Sequence, residues 1–278
     1  MRHGHISYLL AGAFHRMAYV EWGPADGAPV LCVHGLTRTG RDFDVLAEAL
    51  AGQGRRVICP DLPGRGASDW LPDPMLYQPP SYVAALAHLL ARLDGPVDWV
   101  GTSLGAICGM GIAAARGHPI RRMVMNDLGP FVPQAAMARI RDYIADVPRF
   151  ADIPALEAHL RRVHAPFGRL TDAQWRHLAE TSARPAPDGG LLLHYDPAIA
   201  TPIRTQEAQA LDMHFLWNVL DLPILAIRGA ESDLLLPETA AAMAEKPGVR
   251  LEVIEDAGHA PALMDPSQVA MVAGFLAA

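Results

Sequence analysis

GTSLG, residues 101–105, follows the apolar run PVDWV (96–100) and leads into AICGMGIAAARG (106–117). A serine stands between two glycines where a strand pattern stops and a small-residue helix pattern starts. Glycine is the residue that lets backbone segments approach closely at a tight turn. The spacing therefore predicts a strand over 96–103, a helix over 104–117, and a serine held on the sharp turn between them.

Working outward, the same alternation recurs. PVLCVHG (29–35) reads as a buried strand, and RDFDVLAEALAGQG (41–54) as a helix ending at glycine. RRVICPD (55–61) is the next strand. SYVAALAHLLARLDG (81–95) repeats its apolar residues at helical spacing, with Ser81 placed as an N-cap, and IRRMVMND (120–127) is again a strand. Near the start, residues 6–22 read as a hairpin rather than a signal peptide, because the apolar part is short and runs straight into an alternating stretch. Strands alternating with helices predict an α/β fold: a mostly parallel sheet flanked by helices.

From about 130 to 220 the alternation fails. AMARIRDYIADV, IPALEAHLRRVH and TDAQWRHLAETS look like short amphipathic helices, and RPAPDGG like a loop. The alternation then returns with DLPILAIRG (221–229) as a strand, PETAAAMAEK (237–246) as a helix and VRLEVIED (249–256) as a strand. A closing helix follows, with Asp265 near its start. The organisation expected is a core formed by 1–130 and 216–278, interrupted by a helical insertion over 131–215.

Composition narrows the function classes. The 278 residues are 51% hydrophobic, enough for a large core, and no apolar run approaches the length of a membrane span. A formal net charge of −7 offers no basic footprint for nucleic acid. Cys32, Cys59 and Cys108 lie far apart without CxxC spacing, so buried thiols in a reducing, cytoplasmic setting are expected rather than a metal site or disulfide framework. GxxxxGK[ST], GxGxxG after a strand and HExxH are all absent. No cofactor and no metal are expected, the partner expected is a small-molecule substrate, and the sequence leaves the oligomeric state open.

GTSLG matches G-x-S-x-G, the turn that exposes a nucleophilic serine at a helix N-terminus. A serine hydroxyl needs a base. Of twelve histidines, His259 stands out, because EDAGHAPALMDP places it on a loop after the last strand, at the edge where parallel sheets gather their sites. A third group should hold the histidine's tautomer. Asp233, in AESD after strand ILAIRG, is the first choice, Asp127 at the end of IRRMVMND the runner-up, and Glu231 a weaker third. Donors for a developing oxyanion are expected from the Leu104 and Leu36 backbone N–H groups. His34 and Gly35 shape the loop that carries Leu36, with His34 read as a buttress rather than a proton carrier, and Gly101 and Gly105 make the serine turn possible.

Together these residues resemble the α/β-hydrolase-fold serine hydrolases, and the likeness covers nearly the whole chain. It rests on HGLTRTG (34–40), CPDLPGRGASD (59–69), GTSLG (101–105), RGAESD (228–233) and DAGHAP (256–261), in the family's order and spacing. The resemblance implies Ser103 as nucleophile, Asp233 as acid, His259 as base, and a cap over the site formed by the insertion. Ser103 replaces the elbow aspartate of epoxide hydrolases and dehalogenases. Ala260-Pro261 replaces the tryptophan that often follows the histidine in carbon–carbon hydrolases of meta-cleavage type. The lipase-type HGGG run is missing. Small carboxylic esters and lactones remain the broadest fit. The alternatives are carbon–carbon hydrolysis of a vinylogous diketone, thioester or amide chemistry, and a non-catalytic homologue that only binds a small molecule. Met137, Ile140, Tyr143, Phe150, Phe167, Trp175, His214, Phe215 and Trp217 are the apolar pocket candidates in the insertion.

Overall fold

The computed structural model describes residues 1–144 and 148–278. Its frame is an eight-stranded sheet. In chain order the strands are β1 (Arg2–Leu10), β2 (Ala13–Trp22), β3 (Pro29–Val33), β4 (Arg56–Pro60), β5 (Val97–Thr102), β6 (Ile120–Asn126), β7 (Ile224–Gly229) and β8 (Val249–Ile254). They lie in the order β1-β2-β4-β3-β5-β6-β7-β8. The β1–β2 hairpin is antiparallel and joins β4 antiparallel, while every other pairing is parallel. This is the α/β-hydrolase fold that the sequence pattern predicts.

The two faces of the sheet are covered by different helices. Helix α1 (Asp44–Gly52) and the closing helix α8 (Pro266–Ala277) bury Leu46, Leu50, Val272 and Leu276 against Val30, Cys32, Val100, Leu225 and Ile227. On the other face, α2 (Pro79–Leu90), α3 (Leu104–Ala113) and α7 (Pro237–Ala244) bury Leu86, Met110 and Met243 against Leu31, Val33, Trp99, Met123 and Met125. Neighbours along β7 alternate between the two layers: Ile224 and Ala226 face one, Leu225 and Ile227 the other. That period-two division, with both faces apolar, explains why the parallel strands read as continuous hydrophobic runs.

Helix α2 begins two residues before its expected cap. Pro79 and Pro80 occupy the first turn after Gln78, and Ser81 lies buried inside the helix. Proline's fixed φ and missing N–H suit a helix start, so the prolines and not the serine set the boundary. Asp265 caps α8, its carboxylate accepting from the Ser267 N–H.

Between β6 and β7 the chain leaves the sheet. This segment carries α4 (Gln134–Ile144), α5 (Ile153–Val163) and α6 (Asp172–Ser182), with a small hairpin whose turn is the RPAPDGG stretch. The tail of the AMARIRDYIADV pattern, 145–147, lies outside the described residues. Among the described residues, no helix is long and apolar enough to cross a membrane.

Helix α3 reaches the sheet only because of two glycines. A Cβ on Gly101 would stand 2.5 Å from the Gly105 carbonyl carbon, and one on Gly105 would stand 1.9 Å from the Val33 carbonyl oxygen. These obstacles are backbone, which cannot rotate aside. Gly105→Ala should therefore cost about 3 kcal/mol, the upper end for overpacking. Urea unfolding of the variant against wild type checks this, and a cost below about 1 kcal/mol would show that α3 can shift to make room.

Candidate active site

Ser103 sits between β5 and α3 with φ 51° and ψ −111°. A positive φ is uncommon for a residue bearing a Cβ. Here it is held from both sides: the Ser103 N–H donates to the Asn126 carbonyl, and the Ser103 carbonyl accepts from Ala106 and Ile107 of α3. The result places the hydroxyl above the C-terminal edge of the sheet, within 3.1 Å of His259 Nε2.

His259 is carried by the loop after β8. Its other ring nitrogen, Nδ1, lies 2.6 Å from Asp127 Oδ2. Asp127 terminates β6, is fully buried, and adopts φ 55°. Three further groups hold it. Its N–H donates to the Ile227 carbonyl, Oδ1 accepts from the Gly229 N–H at 2.9 Å, and Oδ2 also accepts from the Ser232 hydroxyl at 2.6 Å. The carboxylate between them fixes the imidazole so that Nδ1 bears the proton and Nε2 is open to accept one from Ser103.

The structure thus brings Ser103 and His259 together, with Asp127 and not Asp233 beside the histidine. Asp233 forms a two-pronged ion pair with Arg139 of α4, at 2.6 and 2.8 Å, on the surface. Partial burial pushes its carboxyl up, and the Arg139 pair more than offsets this, leaving the group below the ordinary carboxylate range. Strands β6 and β7 are neighbours, so the end of either can offer an acid. The left-handed backbone of Asp127 turns its side chain into the cluster, whereas Asp233 is drawn outward by the arginine. Glu231 is exposed, and its N–H donates to the Ala257 carbonyl.

The Leu36 and Leu104 N–H groups have no hydrogen-bond partner among the described residues, and both residues line the cavity that holds Ser103. Leu104 is the first residue of α3, where the helix dipole adds positive potential. His34 braces the other side of this loop. It is fully buried, its Nε2 accepts from the Leu62 N–H at 2.9 Å, and its Nδ1–H donates to the Gly35 carbonyl at 2.7 Å. Burial drives its pKa down to about 3, so the ring stays neutral. Gly35 sits beside the serine, where a Cβ would come 3.8 Å from that of Ser103.

Sequence reasoning passed over Arg65, in the LPGRGASD stretch read only as a turn. Its side chain is fully buried, Nε donates to the Leu36 carbonyl at 2.9 Å, and Nη1 donates to the Pro63 carbonyl at 2.7 Å. It therefore fixes the loop that carries Leu36. The available signal was an arginine between two glycines, Gly64 and Gly66, that both adopt positive φ.

The site opens into a cavity of about 670 Å³. Of the pocket candidates from the insertion, Met137, Ile140, Tyr143 and Phe167 line it. Phe150, Trp175 and Trp217 are instead packed in the core, Phe215 is 71% exposed, and His214 pairs with Asp212. Such a cavity suits a small, largely apolar organic molecule. No group of three or more histidine, cysteine or acidic side chains suited to a metal ion occurs among the described residues.

A family model described as the alpha/beta hydrolase family matches residues 30–272. A 3-hydroxybutyrate-oligomer hydrolase of Cupriavidus necator is 43% identical over 99% of this chain and 97% of that protein. A pimeloyl-[acyl-carrier protein] methyl ester esterase of Neisseria meningitidis is 26% identical over 84% of this chain and 86% of that protein. The solved structure of an alpha/beta hydrolase from Novosphingobium aromaticivorans superposes with a TM-score of 0.86 at 35% identity, covering 99% of this chain and 98% of that one.

The pairing of His259 has a direct spectroscopic check. The proton on Nδ1, a nitrogen that lies 2.6 Å from a carboxylate oxygen, should give a strongly downfield proton resonance. Asp127→Asn should abolish that signal and Asp233→Asn should leave it in place. The reverse pattern would return Asp233 to the histidine.

Proposed function

This chain belongs to the alpha/beta hydrolase family and is an ester-hydrolase-type enzyme of it, and from that premise we propose that it hydrolyses short esters of hydroxy acids through a Ser103–His259–Asp127 triad. The observation that carries this reading is the unbroken chain Ser103 Oγ, His259 Nε2, His259 Nδ1, Asp127 Oδ2 at the floor of a mostly apolar cavity. The hydroxy-acid substrate is supported by the likeness to the Cupriavidus protein, a hydrolase of 3-hydroxybutyrate oligomers.

In this mechanism Ser103 Oγ attacks the ester carbonyl while His259 Nε2 takes its proton. Asp127 stabilises the imidazolium through Nδ1–H without itself becoming protonated. The Leu36 and Leu104 N–H groups receive the oxyanion, and each such donor is worth roughly 3–4 kcal/mol in the transition state. His259 then protonates the departing alkoxide. Water, deprotonated by the same histidine, releases the acyl group and restores the serine. No step calls on a cofactor. The segment 131–215 acts as a cap, setting the shape of the acyl site through Met137, Ile140, Tyr143 and Phe167. Three buried thiols fit a cytoplasmic setting.

The test is monomer release from a 3-hydroxybutyrate trimer, with p-nitrophenyl butyrate in parallel. Ser103→Ala should lower kcat by about 10⁶-fold, and Asp127→Asn by about 10³- to 10⁴-fold. Asp233→Asn should change it little, since that carboxylate faces Arg139 at the surface. Turnover that survives in Ser103→Ala would remove the serine from the mechanism. Cleavage of the p-nitrophenyl ester without the trimer would keep the triad and discard the hydroxy-acid substrate.

A further inference from the structure

The cavity is apolar over most of its wall, yet it contains one arginine that is almost wholly out of solvent. Arg38 is 5% exposed and lines the cavity on the loop that also carries Leu36. Its backbone N–H closes the turn onto the Gly35 carbonyl at 3.3 Å, so the residue is anchored next to the oxyanion donors. The guanidinium is locked as well. Nε and Nη2 donate to Asp42 Oδ2 and Oδ1 at 2.8 and 2.7 Å.

A guanidinium has five N–H donors in a planar fork. Asp42 takes one face of that fork, through Nε and one Nη2 hydrogen. The opposite edge, Nη1 with the second Nη2 hydrogen, has no partner among the described residues. The residue that carries this edge lines the cavity. Its surroundings are arranged around one ring. The guanidinium carbon lies 5.8 Å from the centroid of Phe167, and the imidazole of His164 stacks on the same ring at 4.5 Å. His164 lines the cavity, and burial together with the nearby Arg38 charge keeps its ring neutral, so it adds a hydrogen-bonding group without competing charge.

We propose that the free edge of Arg38 is a subsite for the carboxylate of a hydroxy-acid ester, with His164 lining the same cavity, so that the enzyme reads the acid end of a short chain and cuts the ester bond next to it. This rests on the hydroxy-ester reading of the preceding section. A carboxylate presents two coplanar oxygens that match the two parallel N–H bonds of that edge, and such charge-assisted pairs strengthen in apolar surroundings. Asp42 serves to orient the guanidinium. The reaction stays balanced: the acyl C–O bond breaks as the bond to Ser103 Oγ forms, and the proton on His259 passes to the alkoxide of the departing hydroxy acid. Water then supplies hydroxide to the acyl carbon and a proton to Ser103. The departing molecule carries the carboxylate held by Arg38.

The experiment compares the 3-hydroxybutyrate dimer as free acid and as methyl ester, on wild type, Arg38→Lys and the double variant Arg38→Met/Asp42→Asn, which leaves no carboxylate unpaired. Wild type should prefer the free acid in kcat/KM by about 10- to 100-fold, chiefly through KM, the value of a hydrogen-bonded charge pair. The double variant should lose that preference, and Arg38→Lys should keep part of it. Equal rates on acid and ester in wild type overturn the subsite, with no variant needed. So does an unchanged preference in a double variant with native circular dichroism. A separate reading comes from inhibition of p-nitrophenyl butyrate hydrolysis by 3-hydroxybutyrate and by its methyl ester. Stronger, Arg38-dependent inhibition by the acid, with neither dimer cleaved, supports the subsite and overturns the oligomer substrate. Dimer cleavage with equal inhibition by both does the reverse.

Discussion

The hydrogen bond between Asp127 and His259 is the constraint around which the site is built. It ties the end of β6 to the loop after β8, two segments 132 residues apart, and leaves one ring nitrogen facing Ser103. Every other group near it serves this geometry. Gly229 and Ser232, from the end of β7 and its loop, also donate to the carboxylate, so that three strand ends converge on one buried charge. A buried carboxylate is costly unless paired and hydrogen-bonded, and here it has partners on both oxygens. The same requirement makes the cluster rigid, which a base that must sit at a fixed distance from a nucleophile demands.

On the opposite side of Ser103, rigidity comes from uncharged or permanently charged groups. His34 is kept neutral by burial, and the Arg65 guanidinium only donates. Between them they fix the Leu62 N–H and the Gly35, Leu36 and Pro63 carbonyls. An oxyanion donor stabilises a transition state only if it need not reorganise at the moment of reaction. A loop pinned at successive carbonyls meets that condition better than its glycine content alone conveys.

Much of this was legible in the sequence, and what was missed shares a cause. The strand–helix alternation, the serine turn and the histidine loop follow from local pattern: period-two apolar runs, glycines at a junction, a polar residue past a strand end. The acid did not. Asp127 and Asp233 both follow strands that end at the same edge, and the spacing of residues does not say which side chain turns inward. The decision lies in a positive φ at Asp127 and in an arginine, Arg139, that belongs to a distant helix. Ser81 shows the same effect on a smaller scale, since a plausible cap was pre-empted by two prolines before it. The pocket residues were the least legible of all. On short amphipathic helices, which apolar side chains face the sheet and which face a cavity depends on helix placement. Phe150 and Trp175 consequently lie in the core while Met137 and Phe167 line the cavity.

The Arg139–Asp233 pair gives that placement a physical handle. It joins α4 of the insertion to the loop after β7, the same loop whose Ser232 hydroxyl braces Asp127. An exposed ion pair contributes little to stability, typically below about 1 kcal/mol. The arginine lies on the same helix as Met137 and Ile140, two residues that line the cavity. At the other end of the insertion, Tyr77 donates to Asp196 at 2.6 Å and the Arg65 backbone bridges to Tyr195, so the residue that holds the Leu36 carbonyl also meets the returning chain. The insertion is therefore joined to the loops around Ser103 and His259 through two separate contacts.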